Sequence, residues 1–392
     1  MVSSPLPDLP DQSAFQREWA LLLECASPFA DASRIAEMAR GADWKRLLFL
    51  AEEHGVVGHL AMALHKVQGD VVPADVRKEL LDRQRAQALS SLRMTAELFR
   101  ILGKFASEGV QALVVKGPVL SVQAYGDAAM RSYGDLDLLV PHEQISRATQ
   151  LMVASGYDAR VSLADIDGGK IPGQYLFSKP DSKLLVELHN DRTLRYFPRP
   201  LPMEEFFARQ IRVVLDAREA PALCVEDELI LISIHGAKHL WERLTLIADV
   251  AALVTHQSTL DWQRALATAE ELRATRILYT GLRLAADLLK ARLPDAIRAK
   301  TNGDRVAAQL ALQITGWLPA AGNSPPSLIQ RAMFRIAMRG GLFSGPAYLL
   351  RLSLSPTEED WADSAKDKRP AFLESLRRPF RLARKHRRSA KS

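Results

Sequence analysis

The chain has 392 residues, 47% of them hydrophobic and 25% charged. That is close to an ordinary globular average and leaves ample apolar material for a core, so wholesale disorder and a small stapled scaffold are excluded. The net charge of +6 belongs to one end: residues 366–392 hold eleven Lys or Arg and two acids, so the rest sums to −3, a poor match for duplex binding through many phosphate contacts.

Two cysteines, Cys25 and Cys224, make neither a disulfide framework nor a Cys-rich zinc site, and a reducing cytoplasm is the expected setting. The opening MVSSPLPDLPDQS has no basic start and no apolar core, so it does not read as a signal peptide. No stretch reaches about 18 consecutive apolar residues, so no spanning helix is expected.

In chain order, residues 12–25 and 33–38 have helical spacing, and Asp43 suits a cap for a helix carrying Trp44, Leu47, Leu48 and Leu50. From Pro73 to Leu102 no Gly or Pro falls inside a recurring apolar stripe (Leu80, Leu81, Ala88, Leu89, Leu92, Leu98, Phe99), which predicts one amphipathic helix. At about 1.5 Å per residue it is roughly 45 Å long. Glu108-Gly109 stops it, and Val110 to Val115 reads as a strand. Lys116-Gly117-Pro118 turns into a short helix toward Tyr125. Residues 135–140, 174–178, 183–189 and 211–215 read as strands, with a helix at 143–155. Helices return at 225–240, 243–255, 260–271 and 274–291, with one or two more up to about residue 338. The expected class is α+β, mainly α: a small mixed sheet between helical regions. The expected division is a helical region at 1–107, an α/β core at 108–215, a helical domain at 216–355 and a basic, flexible tail at 356–392.

The chemistry sits in Asp135-Leu-Asp-Leu-Leu-Val140. On a strand, Asp135 and Asp137 share one face, about 7 Å apart at Cα, and Leu136 and Leu138 share the other. Two such carboxylates repel unless a cation lies between them, and buried without a partner they are costly. Oxygen ligands that leave room for phosphate suit Mg²⁺. In Leu184-Leu-Val-Glu-Leu-His189 a third acid, Glu187, stands among aliphatics. If its strand lies beside the Asp-x-Asp strand, three carboxylates can hold two Mg²⁺ ions. Gly117 opens a helix, a common phosphate-holding arrangement, and Lys116 and Arg131 are the nearest cations for phosphate charge.

Taken together, these residues resemble the DNA polymerase β-like nucleotidyltransferases, and within them the bacterial uncharacterised nucleotidyltransferase family. The likeness rests on Lys116-Gly117-Pro118, Tyr125-Gly126-Asp127, Arg131, Asp135-Leu136-Asp137, Val186-Glu187-Leu188-His189, His235-Gly236-Ala237-Lys238-His239, Trp241, Arg243-Leu244 and Asp249, and spans roughly residues 40–355. It implies a nucleotidyltransferase core at 108–215, NTP as substrate, two Mg²⁺ ions, and nucleotide transfer to a hydroxyl or phosphate acceptor with pyrophosphate release. Asp135, Asp137 and Glu187 would be catalytic and metal-binding. Lys116, Gly117, Arg131, His189, His235, Lys238 and His239 would line the nucleotide pocket. The wider superfamily usually has Gly-Ser where this chain has Gly117-Pro118, which brings neither hydroxyl nor N–H from its second residue.

Simpler readings stand beside these. His235 and His239 lie at i and i+4 on one helix face, but no third zinc ligand is evident, and hydrogen-bonded or pocket-lining histidines are the alternatives. If that helix ran unbroken, 235, 239, 242, 246 and 249 would fall within about 40° of one line, bringing Asp249 to the same face. His189 shares a face with Glu187 and is either a base or a structural hydrogen-bonding group. The tail is a solvated charge run or a site for RNA, an acidic partner or anionic lipid. Two further functional readings are an inactive nucleotide-binding or regulatory protein and a toxin-like enzyme that nucleotidylates RNA or protein.

Overall fold

The computed structural model describes residues 12–167, 173–180, 184–193, 199–318, 326–339 and 347. The basic tail, and with it the expected binding of RNA, lipid or an acidic partner, lies outside the described residues. Five helices come first: α1 (Gln12–Ala26), α2 (Ala32–Ala39), α3 (Trp44–Glu53), α4 (Val57–His65) and α5 (Ala74–Ser107). Asp31 and Asp43 start α2 and α3 by accepting backbone N–H groups of Ser33, Arg34 and Arg46. The helix α4 has no counterpart in the sequence reading. The long helix α5 runs 34 residues and stops at Glu108 as expected. Its first turns bury Val76 and Leu80 in one core, its last turns bury Leu98, Ile101 and Phe105 in another, and Leu89 and Leu92 between them are exposed.

The middle of the chain gives β1 (Leu113–Val115), α6 (Gly117–Tyr125), β2 (Asp135–Leu139), α7 (Ile145–Ala154), β3 (Asp158–Ala159), α8 (Leu163–Asp167), β4 (Gln174–Lys179), β5 (Leu184–His189), α9 (Met203–Ala208), β6 (Ile211–Leu215) and β7 (Arg218–Ala222). The strands form one seven-stranded mixed sheet in the order β3-β4-β5-β2-β1-β7-β6. β2 is central, antiparallel to β1 and parallel to β5. The sheet runs on past residue 215. Asp216 and Ala217, both at positive φ, turn the chain into β7, whose Arg-Glu-Ala-Pro-Ala hides its strand character behind a proline.

Seven more helices complete the described chain: α10 (Val225–Lys238), α11 (Leu244–His256), α12 (Trp262–Glu271), α13 (Thr275–Leu289), α14 (Asp295–Gly303), α15 (Arg305–Trp317) and α16 (Leu328–Arg339). The helices expected at 225–240 and 243–255 are separate, so no continuous helix runs through 235–249. The chain leaves α10 at Lys238, passes Leu240 and Trp241 at positive φ, and restarts at Leu244. The break buries Trp241 completely, with its ring against Gly236 and Gly281. The start of α11 is held by the end of α3: Leu244 N–H donates to His54 Nδ1 and Arg243 Nε to the Glu53 carbonyl.

Two apolar cores result. The larger joins Trp19, Leu47 and Leu60 to Leu229, Trp241, Ile247 and Leu282, so the helices before and after the sheet share one interior. The smaller lies under the other face of the sheet, where Leu136, Leu138 and Val186 meet Leu98, Ala148 and Leu151. Leu139 and Val115 belong to the larger core. Asp135 and Asp137 alternate with Leu136 and Leu138, so the acids lie on the sheet face turned toward the larger helical core. Among the described residues no helix is long and apolar enough to cross a membrane.

Candidate functional site

Strand alternation brings the acids together as the sequence pattern requires. In the parallel β2–β5 pair Asp137 lies opposite Glu187, and Leu139 opposite His189. Asp137, Glu187 and His189 each offer a ligand atom, all within 4.8 Å of one another. Asp135 lies one step back on the same face, in register with Leu185. The antiparallel β1–β2 pair sets Val115 opposite Asp137, so the next residue, Lys116, enters the site. Its Nζ is 2.8 Å from Asp137 Oδ2. His189 donates from Nε2 to Asp137 Oδ1 at 2.7 Å, and its Nδ1 is 2.6 Å from Thr193 Oγ1. Gln174 donates to Glu187 at 2.7 Å.

The electrostatics follow from this crowding. Burial alone would raise the Asp137 carboxyl, but the Lys116 ammonium and the His189 ring outweigh it and hold Asp137 well below the carboxylate range. The same contacts raise Lys116 and His189 above their ordinary values against burial, which favours their neutral forms. Asp135 is raised, by burial first and then by the neighbouring Asp137 charge. The site thus gathers three acids around one lysine and one imidazole. Its carboxylate oxygens, with one imidazole beside them, fit a hard divalent cation.

The turn between β1 and α6 is unusual. Lys116 has φ 56° and ψ −140°, and Gly117 follows with φ 48°. A Cβ at Gly117 would meet nothing closer than 3.9 Å, so the dihedral and not the space calls for glycine there. Pro118 stands in the first turn of α6, where a missing N–H costs nothing. The Lys116 N–H donates to Glu228 Oε1 at 2.9 Å, from the first turn of α10.

The other expected residues fall differently. Arg131 is buried: its Nε donates to Asp249 at 2.7 Å and its Nη1 to the Gly117 carbonyl at 3.4 Å, so it braces the turn from behind instead of facing open space. Tyr125 also donates to Asp249. The His235 and His239 rings lie tilted against each other with centroids 4.7 Å apart, and neither belongs to a metal-ligating group among the described residues. Burial first, then the Lys116 charge, lowers His235 well below the ordinary imidazole value; burial and Lys238 lower His239 to about 4. Lys238 is exposed. Asp249 reaches the site through Arg131 and not along a continuous helix face.

Sequence reasoning missed Glu228. It is fully buried, with its Oε2 unpartnered, and burial raises its carboxyl to about 7 despite the nearby Lys116. The only signal was an acid run, Glu226-Asp-Glu228, before an apolar helix, which reads as a complement to the helix dipole. All three acids are in fact buried and engaged: Asp227 by Arg209, Glu226 by the Asp261 N–H, Glu228 by Lys116.

None of the curated proteins matches the chain. A solved structure of an antigenic nucleotidyltransferase-like protein from Paracoccidioides brasiliensis shares 15% identity and covers 55% of this chain and 95% of its own, at a TM-score of 0.30, too loose a likeness to bear on function. The family model described as "Uncharacterised nucleotidyltransferase" matches residues 40–290, a span that includes the Lys116 turn, all three acids, His189, His235 and His239. With that match over more than half its length, the chain belongs to the uncharacterised nucleotidyltransferase family.

Proposed function

We propose that this protein is a Mg²⁺-dependent nucleotidyltransferase that moves a nucleoside monophosphate from an NTP to a hydroxyl or phosphate acceptor. The acceptor oxygen bonds to the α-phosphorus, the bond from that phosphorus to its bridging oxygen breaks, and pyrophosphate leaves with the electron pair. The observation that carries the reading is the β2–β5 register, which sets Asp137 against Glu187 with Asp135 on the same face. Asp135, Asp137 and Glu187 would hold the cation, with two ions as the expected number. Bound there, Mg²⁺ would supply neutralisation of triphosphate charge and a lowered pKa for an acceptor hydroxyl.

The chain's own groups do the rest. His189 fixes the Asp137 carboxylate through a 2.7 Å bond. Lys116 holds positive charge beside the acids and, with the N-terminus of α6 at Gly117, offers phosphate a polar and cationic edge. Arg131 supports that edge through the Gly117 carbonyl. His235 and His239, with the exposed Lys238 beside them, would line the nucleotide site from the helical side. The acceptor is a small molecule or a macromolecule.

Asp137→Asn keeps the side-chain volume and removes the charge. It is expected to lower Mg²⁺-dependent pyrophosphate release at least about 100-fold while the thermal melt stays cooperative. Unchanged release would remove the proposal. A second reading, a nucleotide-binding protein without transfer activity, is favoured by Pro118 and by the engagement of both Asp137 oxygens with Lys116 and His189. Calorimetry with ATP, GTP, CTP and UTP in Mg²⁺, run beside the pyrophosphate assay, separates the two: binding without release selects the second.

A further inference from the structure

Lys116 carries a backbone conformation that a side chain normally avoids, and it is the residue whose ammonium reaches Asp137. Strain of this kind persists only where surrounding groups over-determine it. Three contacts hold the turn. The Leu120 N–H donates to the Lys116 carbonyl at 3.0 Å, which continues α6. Arg131 donates to the Gly117 carbonyl at 3.4 Å. Glu228 Oε1 accepts the Lys116 N–H at 2.9 Å. Glu228 takes hold of the strained residue's own N–H, and it does so from α10, 112 positions along the chain.

Glu228 is an expensive residue to keep for stability alone. It has no exposed surface and its second oxygen has no partner. A buried, half-paired carboxylate is a poor stabiliser, and an unsatisfied buried group asks for another reason to be there. The neighbouring acids show the contrast: Asp227 has both oxygens on Arg209. Glu228 instead sits behind the turn, with one oxygen fixed on the backbone of the residue that delivers positive charge to the acids.

We propose that Glu228 is a positioning residue: by accepting the Lys116 N–H it holds the β1–α6 turn in the conformation that delivers the Lys116 ammonium to Asp137. The proposal rests on the reading of Asp135, Asp137 and Glu187 as the reactive site, but its geometry does not depend on any turnover. It makes α10 a support of the phosphate-side edge as well as a wall of the helical core.

The test compares Glu228→Met, which fills similar volume without an acceptor, with Glu228→Gln, which keeps one. Two readouts need neither metal nor nucleotide. Amide exchange at Lys116, followed by mass spectrometry of the segment from 113 to 120, is expected to speed up about tenfold or more in Glu228→Met and to stay near wild type in Glu228→Gln. In ¹⁵N-lysine-labelled protein the Nζ signal of Lys116, assigned with Lys116→Arg, is expected to lose its slowly exchanging, bonded character in the Met variant only. Pyrophosphate release should fall with the Met variant and recover with Gln. If the Met variant matches wild type in exchange and in the Nζ signal, the proposal is overturned. If Gln fails to restore either one, it is also overturned. A chain that transfers no nucleotide would sink the proposed function and leave both readouts intact.

Discussion

Trp241 shows how a motif residue can be structural. It has no exposed surface, its backbone is at positive φ, and its ring occupies space that a Cβ at Gly236 would enter at 2.5 Å. Gly236→Ala is therefore expected to lower stability by about 1–3 kcal/mol through overpacking, read as the urea midpoint at unchanged slope. An unchanged midpoint would mean that the ring moves aside freely. The same lens separates what single residues reveal in sequence. Asp135, Asp137, Glu187 and His189 were legible because strand alternation needs only spacing, and the register then brings them together. Arg131 was expected to meet phosphate charge, and its pairing with Asp249 was not legible, because that ion pair joins residues 118 apart. Glu228 was hidden because its role depends on which backbone N–H happens to face it.

At the scale of elements, α5 ties the two cores together, and Glu97 fastens its later half to the sheet. The Glu97 carboxylate accepts from Arg100 on its own helix, from the Tyr157 hydroxyl and from Lys179 of β4. The Arg100 bond above all, with Tyr157 and Lys179, outweighs burial and lowers its carboxyl from 4.5 to about 2. A depressed carboxyl stabilises the fold fully above its unfolded value and loses that contribution as pH falls toward the folded value. Glu97→Gln is expected to cost about 1–3 kcal/mol at neutral pH. In urea unfolding that gap should narrow between pH 4.5 and about 2. A gap that stays constant over this range would contradict the assignment. Element boundaries were legible where caps mark them, as at Asp43. The break after α10 was legible to within two residues, 240 against Lys238; the positive φ of Leu240 and Trp241 and the packing of the Trp241 ring against Gly236 and Gly281 were not. β7 was obscured by Pro221, which falls where β1 and β7 pair only at Val114 and Ala222.

Across the whole molecule the helical segments on either side of the sheet depend on each other. Trp19, Leu47 and Leu60 pack into the interior that also holds Leu229, Ile247 and Leu282. Ser27 donates to the Leu289 carbonyl, and Lys290 pairs with Glu24 at 2.6 Å. Removing residues 1–72 is thus expected to leave a chain that binds a hydrophobic dye and lacks a cooperative melt; a truncated chain that melts cooperatively near the full-length temperature would contradict the shared core. Sequence periodicity showed helices on both sides of the sheet and could not show that they meet, because core sharing over hundreds of residues leaves no local pattern. The site inherits this arrangement: its acids stand on the sheet face turned toward that common interior, and Lys116, Arg131 and Glu228 connect the two. The most direct measurement of the central claim is a Mn²⁺ titration followed by electron paramagnetic resonance, with a non-transferable NTP analogue present. The account predicts binding to wild type that weakens more than about tenfold in both Asp137→Asn and Glu187→Gln; equal affinity in all three proteins would contradict it.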